Sequence, residues 1–396
     1  MMKKFLLCVV LPVSMMLCGE VPQEPVFKVL DIAHKKAPGE NVLLSPLSMM
    51  ECFGMVSCGA GELSSAELSK VLGLDSDGCK ALREARKSIA ASENAGFTSC
   101  NTLLIDRRLN FYQEFVNQAV YFYGGKIYRA DFSRSGDCVN FLNAKIKEQS
   151  NGVFEQVVDE SDFAANPLVV LMNVLYFQSE WKCPFEKEAT QKQLFHASEK
   201  DKYQVDMMIN SDYFPYYNDG KIHAVTLPYK NPRFRMIFIM PLDPAAPLSL
   251  VTEMLANKGT AVIVAASSDK NETVVQIPRL ELQADNDLKT LLKDAGMLHV
   301  FDPECGDLTR MVKDIPLFID RARQVVKLKM DENGTETAAV TIVSLPKAAA
   351  VKEVKHINNF HADRPFVMVL VDKETSAVIL SAVICKPVTA SAEVQQ

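Results

Sequence analysis

The residues that could perform enzymatic chemistry are scattered along this chain of 396 residues. Ser267 and Lys270 form a Ser-x-x-Lys pair, the spacing that supplies a nucleophile and a base in penicillin-recognising enzymes. The pair lies in a polar stretch without the companion motifs of those enzymes. The six histidines form no His-Glu-x-x-His zinc motif, and the sequence has neither a Gly-x-Ser-x-Gly nucleophile elbow nor a P-loop. The sequence therefore predicts a protein that is not an enzyme and that needs no metal and no cofactor.

Cysteine chemistry is equally limited. Two of the ten cysteines, Cys8 and Cys18, belong to an N-terminal apolar run. The other eight form no Cys-x-x-Cys pair, and none lies at metal-ligand spacing from a histidine. Cys52, Cys58 and Cys385 occur within apolar runs, which is typical of buried free thiols that pack as small hydrophobic residues. The sequence leaves any disulfide pairing open.

The most informative segment for function is residues 332–343, which has the alternation of a β-strand but little bulk. One face would carry Thr335, Thr337, Ala339, Thr341 and Val343, and the other Glu336, Ala338, Val340 and Ile342. Small and β-branched side chains after Gly334 fit a strand that has to enter between two others. Residues 360–370 then indicate a buried strand that follows a tight Asp-Arg-Pro turn.

The elements around this segment indicate an α+β protein, because helices cluster early and strands late. Predicted helices cover residues 25–36, 49–58 (begun by Ser45 or Ser48 as N-cap), 62–72, 78–91, 111–123, 142–150 and 287–295. Predicted strands cover residues 41–48 (broken at Ser45-Pro46), 101–105, 168–177, 205–209, 224–229, 236–241, 274–282, 325–330, 366–371 and 378–385. The continuous apolar run 168–177 is typical of a strand that is buried on both faces at the centre of a large sheet.

Composition and charge are those of an ordinary globular protein. Hydrophobic residues make up 48% of the chain and charged residues 23%, which is enough apolar surface for a large core. No Gly/Ser-rich linker, low-complexity run or internal repeat divides the sequence, so we expect a single domain. The formal net charge of −6 argues against a nucleic-acid partner, because such proteins normally carry a basic face.

Residues 1–19 form a separate element. Lys3 and Lys4 precede an apolar run of about fourteen residues that ends at Cys18, which is typical of a secretory signal peptide and too short to span a bilayer. We expect cleavage near Gly19 and a secreted, extracellular or periplasmic protein. Lipid attachment at Cys18 is the alternative. The mature chain would then comprise one domain over residues 20–388 and a disordered tail over residues 389–396.

Several blocks of the chain, taken in order, resemble the serpins over about residues 25–387. The blocks are residues 41–48 with the pattern Asn-x-x-x-Ser-Pro-x-Ser, residues 171–181 ending at the only tryptophan, the segment 332–343 and the segment 360–370. Residues 142–152 resemble a further serpin motif in weakened form, with Lys145 where the family usually has tryptophan. The resemblance implies a single-domain α+β fold with three β-sheets, eight or nine helices and an exposed reactive loop over about residues 333–358.

The resemblance also implies a function, namely monomeric suicide inhibition of a serine protease or, less commonly in the family, a cysteine protease. The protease attacks the loop as a substrate, and the freed segment inserts as a new strand into the main sheet. The acyl-linked enzyme is carried along and distorted before it can be released. The alternative is a non-inhibitory serpin, such as a chaperone or ligand carrier, whose loop is cleaved without trapping the protease.

The resemblance assigns the hinge of the loop to Glu332, Gly334, Thr335, Glu336, Thr337, Ala338 and Ala339. Thr335 must be able to enter the sheet, where a charge would be costly. Inhibitory serpins favour alanine over residues 337–340, whereas Thr337 is larger and is expected to face inward. An unpaired buried hydroxyl costs roughly 1–3 kcal/mol. Thr337 is therefore expected to slow insertion and to increase plain cleavage.

A second set of residues is expected to control the opening of the main sheet. Ser45, Ser48, Asn173 and Gln324 are predicted to form a polar group beneath the sheet, and Trp181 is predicted to lie at its top. Gln324 stands where many serpins have a histidine. Because glutamine both donates and accepts hydrogen bonds, we expect a structural polar network to persist there.

The reactive bond is placed by counting along the loop. Counting seventeen residues with Glu332 as the first ends at Ala348, so cleavage between Ala348 and Ala349 would suit an elastase-like protease. Lys347 is the second choice and would suit a trypsin-like protease. Counting backwards from Pro365 ends instead near residues 354–355.

A basic cluster is the remaining candidate for a binding site. Lys80, Arg83, Arg86 and Lys87 share one face of a predicted helix, in the region where some serpins bind polyanions. The sequence thus allows weak polyanion binding, although most such clusters are solvated helix faces.

Overall fold

The structure is a computed structural model that describes residues 20–92, 96–163, 167–312, 315–335 and 357–387. Within these residues nine α-helices and three β-sheets occur. The helices are α1 (Glu24–Lys36), α2 (Pro46–Ser57), α3 (Glu62–Leu72), α4 (Ser76–Ala90), α5 (Gln113–Tyr123), α6 (Ser135–Gln149), α7 (Ser249–Lys258), α8 (Ala261–Ala266) and α9 (Leu288–Asp294). In the described ranges no helix has the length and apolar character needed to cross a bilayer.

The largest sheet, called the main sheet below, has seven strands. Its central strands are β4 (Val169–Phe177) and β13 (Arg321–Met330), which run parallel and pair directly. The others are β2 (Phe97–Asp106) and β3 (Lys126–Ala130) beyond β4, β12 (Leu280–Asp287) beyond β13, and the short strands β5 (Ser179–Glu180) and β14 (Gly334–Thr335). The continuous apolar run predicted to lie at the centre of a sheet is therefore β4, and all nine of its residues are buried.

Two further sheets complete the fold. The six-stranded sheet contains β1 (Val42–Leu44), β17 (Val378–Ile384), β16 (Phe366–Asp372), β10 (Phe234–Pro241), β9 (Ile222–Pro228) and β8 (Tyr216–Asn218), in that order. The four-stranded sheet contains β15 (Asn358–His361), β11 (Thr273–Pro278), β7 (Lys202–Asp212) and β6 (Gln191–His196).

Helix α2 lies between the two larger sheets, in contact with β17 on one side and with β2 and β4 on the other. Every residue of α2 except the last is buried, as its apolar character on all sides predicts. On the opposite face of the main sheet, α6 places Leu142 and Ile146 in a second apolar cluster with Met172 and Val174 of β4. The main sheet is thus covered on both faces.

Several sequence predictions of the elements were wrong in detail. Helix α6 begins at Ser135 instead of residue 142, because Cys138 extends its buried face one turn earlier. The single strand predicted over residues 274–282 is two strands, β11 and β12, which belong to different sheets on either side of Arg279. The strands β3, β5, β6, β8 and β15 and the helices α7 and α8 were not predicted.

The prediction that a serine side chain caps α2 was also wrong. Ser45 occupies the N-cap position, but its hydroxyl donates to the Ile379 carbonyl at 2.8 Å. The Ser48 hydroxyl donates to Asn173 Oδ1 at 2.6 Å. Both hydroxyls instead connect α2 to neighbouring strands, Ser45 to β17 and Ser48 to β4.

Candidate functional site

The hinge of the predicted loop begins inside the main sheet. Strand β14 pairs with β13 through Thr335 and Met330, and with β5 through the pairs Gly334–Glu180 and Thr335–Ser179. A Cβ atom at Gly334 would lie 2.2 Å from the Ser179 carbonyl oxygen, so the close approach of two backbones requires glycine here. The chain that leads into the loop therefore already forms the first residues of a strand between two others.

Glu332, immediately before β14, is held by a charged pair. Its buried carboxylate accepts hydrogen bonds from Arg279 Nε at 2.8 and 2.9 Å and from Thr190 Oγ1 at 2.5 Å. Burial by itself raises the pKa of Glu332, but the hydrogen bonds from Arg279 and Thr190 outweigh it and the pKa is lowered from 4.5. The Glu332 carbonyl also accepts from the Phe185 amide at 2.8 Å. The start of the hinge is thus fixed by side chain and backbone together.

Thr335 and Trp181 both contact Tyr229 at the top of the main sheet. Thr335 is fully buried, and its hydroxyl shares a hydrogen bond of 2.7 Å with the Tyr229 hydroxyl. The Tyr229 ring stacks on Trp181 with 4.4 Å between ring centroids and 15° between planes. Trp181 in turn donates from Nε1 to the Asp331 carbonyl at 3.1 Å and from its amide to the Asn333 carbonyl at 2.8 Å. We call Trp181, Tyr229, Asp331 and Thr335 the hinge cluster.

Below the hinge cluster the main sheet is closed. Strands β4 and β13 pair from Val170–Arg321 to Tyr176–Lys327 without an intervening strand. A strand that continued β14 in the same direction would have to separate this pairing. The arrangement is therefore that of an uncleaved sheet with a short wedge of the loop at one end.

The predicted polar group lies across this pairing. Gln324 of β13 donates to Asn173 Oδ1 of β4 at 2.7 Å and to the Ser45 carbonyl at 2.9 Å, and it accepts from the Ser45 amide at 2.9 Å. Ser48 donates to the same Asn173 oxygen at 2.6 Å. The structure thus brings Ser45, Ser48, Asn173 and Gln324 together, and all four are fully buried. We call these four residues the polar cluster.

The polar cluster continues into a buried acid that the sequence did not suggest. Asn173 Nδ2 donates to Asn101 Oδ1 at 2.6 Å, and Asn101 Nδ2 donates to Glu51 Oε2 at 2.8 Å. Burial raises the pKa of Glu51, while Arg86 at 3.9 Å and the hydrogen bonds from Asn101 and Ser99 oppose that rise. The network therefore links both central strands to α2 and, through Arg86, to α4.

Comparison with known proteins identifies the family. The family model described as "Serpin (serine protease inhibitor)" matches residues 24–387. The chain belongs to the serpin family. Human neuroserpin is 25% identical over 364 residues, which are 88% of this chain and 87% of neuroserpin. An uncharacterized serpin-like protein of Thermococcus kodakarensis is 27% identical over 362 residues, which are 89% of this chain and 83% of that protein.

Solved structures confirm the predicted fold. Native protease nexin-1 with heparin matches with a TM-score of 0.81 at 22% identity, covering 93% of this chain and 99% of nexin-1. Thyroxine-binding globulin in complex with thyroxine matches with a TM-score of 0.81 at 20% identity, covering 93% and 98%. The serpin fold, α+β with a single domain, three sheets and nine helices, is therefore confirmed. Most serpins inhibit serine proteases, but some do not.

In this serpin the basic cluster is less uniform than the sequence indicates. Arg83 lies over the Phe122 ring at 4.5 Å and Lys87 over the Tyr121 ring at 5.9 Å, both on α5. The Arg86 side chain is 31% exposed and turns toward Glu51. Lys80 is exposed on α4. Two cations therefore line an aromatic surface, whereas Arg86 belongs partly to the buried network.

The cysteines of this serpin are unpaired thiols from Cys52 to Cys385. Cys52 and Cys385 are buried, as predicted, and Cys58 is half-buried. Burial raises the pKa of the thiols of Cys58, Cys100 and Cys385 to about 11, so all three stay protonated at neutral pH. Among the described residues no cluster of histidine, cysteine and carboxylate side chains is suited to hold a metal.

Other predicted residues lie outside the described ranges. They are the hinge residues Glu336, Thr337, Ala338 and Ala339, the reactive-bond residues Lys347, Ala348 and Ala349, the proposed signal peptide with Cys18, and the tail over residues 389–396.

Conversely, sequence reasoning missed Tyr229, Arg279, Asn101 and Glu51. Only Glu51 carried a signal, as the one charge in an otherwise apolar helix.

Proposed function

We propose that this serpin inhibits a serine protease as a suicide substrate. The observation that supports this most directly is β14, a two-residue strand at the base of the loop that already pairs with β13 and β5. Strand addition to an existing ladder is favourable once its first pairs have formed, because each further residue adds backbone hydrogen bonds. The wedge therefore supplies a starting point for insertion in a chain whose family consists mostly of protease inhibitors.

The proposed reaction follows from the order of the elements. The protease serine attacks the Ala348 carbonyl, the amine of Ala349 leaves, and an acyl ester links Ala348 to the enzyme. The freed segment then continues β14 between β4 and β13. About fourteen residues at about 3.3 Å each give a strand of about 46 Å, which moves the ester from one end of the sheet toward the other. Distortion of the attached enzyme would prevent hydrolysis of the ester.

The side chains of the hinge alternate between two faces in a way that is consistent with burial of the inserted strand. Thr335 faces Tyr229 in the core between the two larger sheets. Because side chains alternate along a strand, Thr337 and Ala339 would follow on that face, and Glu336 would lie on the opposite face. The inward residues are therefore uncharged, which insertion requires.

The bond between Ala348 and Ala349 is the proposed reactive bond, with Lys347 as second choice. The test is incubation with pancreatic elastase and, separately, with trypsin, followed by SDS gels and N-terminal sequencing of the released fragment. A complex with elastase that survives SDS, together with a fragment that begins at Ala349, is the expected result. Cleavage without any such complex would exclude the proposed inhibition.

A second readout is the stability of the cleaved protein. If the uncleaved form is held in a high-energy state, cutting the loop allows insertion and raises the melting temperature markedly. An unchanged melting temperature after complete loop cleavage would show that the loop does not insert.

A non-inhibitory ligand carrier is the second candidate. It is favoured by the structural match to thyroxine-binding globulin in complex with thyroxine, although at 20% identity that match concerns the fold. In this case elastase would cut the loop without forming a complex. The same gels therefore separate the two candidates.

We further propose that residues 1–19 are a signal peptide and that the domain starts near Glu20, with lipid attachment at Cys18 as the alternative. Mass spectrometry of the mature protein distinguishes the two.

Weak polyanion binding at Lys80, Arg83, Arg86 and Lys87 is also proposed; nexin-1, solved with heparin, has the same fold. The test is the heparin affinity of the double variant Lys80→Ala/Lys87→Ala. An affinity equal to that of the wild type would contradict polyanion binding at this cluster.

A further inference from the structure

A deep cleft of about 670 Å³ lies apart from the hinge cluster and the polar cluster and shares no residue with either. It is formed where α1 ends, where the turns β6–β7 and β15–β16 meet, and where the connection from β10 to α7 begins. A volume of this size is typical of sites that enclose a small organic molecule.

One wall of the cleft is apolar. It is built mainly from Pro241, Pro244, Ala246, Leu248 and Pro365. Proline and short aliphatic side chains leave a fixed surface that loses little conformational freedom when it is covered. This wall therefore suits the hydrocarbon part of a ligand.

Polar groups with unused hydrogen-bonding capacity lie in the remaining wall. Arg364 donates from one terminal nitrogen to Asp363 at 2.9 Å and from the other to the Pro241 carbonyl at 3.0 Å. Its Nε atom is buried and has no hydrogen-bond partner, and the same is true of Nδ1 of His34. Buried polar atoms are normally satisfied, so these two nitrogens of cleft-lining residues are hydrogen-bonding groups still without a partner among the described residues.

One cation on the cleft has no ion pair within the part of the chain that the structure describes. Lys202, exposed at the start of β7, forms no ion pair with any residue in the described ranges. Of the two carboxylates on the cleft, Asp363 is bound by Arg364, and Glu199 lies on the exposed rim. Lys202 is therefore the cation on the cleft that a ligand carboxylate could pair with, and Arg364 Nε and His34 Nδ1 are further nitrogens without a partner in those ranges.

We propose that this cleft binds a small amphipathic carboxylic acid. The carboxylate lies near Lys202, Arg364 and His34, and the hydrocarbon body packs on the proline-lined wall. The proposal is independent of protease inhibition, since it uses no residue of the loop or of the main sheet. The hydrocarbon body could be an alkyl chain or an aromatic ring, and the two probes below distinguish them.

The test is isothermal titration calorimetry of the mature protein with dodecanoate and with 1-naphthylacetate. We expect at least one acid to bind with 1:1 stoichiometry, whereas dodecyltrimethylammonium, which carries the opposite charge, does not bind. The acid with the higher affinity shows whether the cleft accepts an alkyl chain or an aromatic ring. Absence of saturable binding by both acids, or equal binding of the cation, overturns the proposal.

Two variants place the binding in this cleft. Lys202→Glu reverses an exposed charge and should weaken binding at least about threefold, the range of a single exposed ion pair. The matched control is Lys200→Glu, an equally exposed change in the same turn that does not line the cleft. Ala246→Trp fills the cleft and should remove saturable binding. Equal affinities of the Lys202 and Lys200 variants would show that the acid binds elsewhere.

Discussion

Two points on the path that an inserting strand would take, its start and its middle, are held in different ways. At the hinge cluster the space between β13 and β5 is occupied by β14, and Thr335 is already buried against Tyr229. At the polar cluster β4 and β13 pair directly, and Gln324 and Asn173 connect them through side chains. The first region therefore already holds two residues of the hinge as a strand, whereas in the second the central strands are paired directly.

Under the proposed inhibition, this difference predicts separate roles for the two regions. Changes at the hinge cluster alter whether the strand can start to enter, and they should convert an inhibitor into a substrate. Changes at the polar cluster alter how readily the central strands separate, and they should affect the stability of the uncleaved protein. The predictions below test this separation, from the largest expected effect to the smallest.

Thr335→Arg should have the largest effect on inhibition. A charge at this buried position would lose its water without gaining a partner, at a cost of about 3–5 kcal/mol, so strand entry is blocked. We expect the yield of SDS-stable complex to fall more than about 100-fold while the loop is still cleaved. Thr335→Val is the matched control, because it keeps the shape and removes only the hydroxyl. A Thr335→Arg protein that still traps protease would refute the role of the hinge cluster.

Asn173→Ala should be the most destabilising change at the polar cluster. It removes the acceptor of Ser48 and Gln324 and the donor to Asn101, and buried groups left unsatisfied cost about 1–3 kcal/mol each. We expect a lower urea midpoint and a faster spontaneous loss of inhibitory activity. Asn117→Ala, an exposed asparagine on α5, is the control. If the two variants unfold at the same urea concentration, the polar cluster does not hold the sheet closed.

Glu332→Gln should weaken the base of the hinge by about 1–2 kcal/mol, since Arg279 is partly exposed and water screens the pair. The pKa of Glu332 is lowered in the fold, so its contribution is fully present above the ordinary value of 4.5 and is lost as pH falls through the lowered value. The difference in unfolding free energy between wild type and variant should therefore be largest near pH 7 and shrink below pH 4.5. A difference that is constant from pH 7 to pH 3 would argue against this ion pair.

Thr337→Ala should give the smallest effect and in the opposite direction. If the hydroxyl of Thr337 adds about 1.4 kcal/mol to the barrier of insertion, its removal speeds insertion about tenfold. The fraction of protease trapped per loop cleaved should then increase. Glu336→Ala, on the other face of the strand, is the control and should change little. An unchanged trapped fraction in Thr337→Ala would mean that this residue does not limit inhibition.

Much of the site could be predicted because it depends on local patterns. The alternation after Gly334 identified a segment with the bulk of an inserting strand, and the order of short motifs located Gln324, Asn173, Ser45 and Ser48. Polar residues within apolar runs are rare, so they stand out in a sequence. Their partners could be named only where a family pattern supplied them.

The residues that were missed interact over long sequence distances without a local pattern. Arg279 binds Glu332 across 53 positions, and Tyr229 meets Thr335 across 106. Arg279 also separates β11 from β12, a break inside what the sequence predicts as one strand. Single residues of common type in ordinary strands give no sign of the partner that the fold brings to them.

The sequence by itself determined the class of the protein, the helical and extended segments, and a loop base with small alternating side chains. These properties follow from local propensity and from the burial of apolar faces, both of which can be read over a few residues. Only the tertiary structure decided that β14 already occupies the top of the main sheet while β4 and β13 remain paired below. That arrangement depends on which strands become neighbours, and hydrogen bonds between distant segments form only when the whole chain has folded.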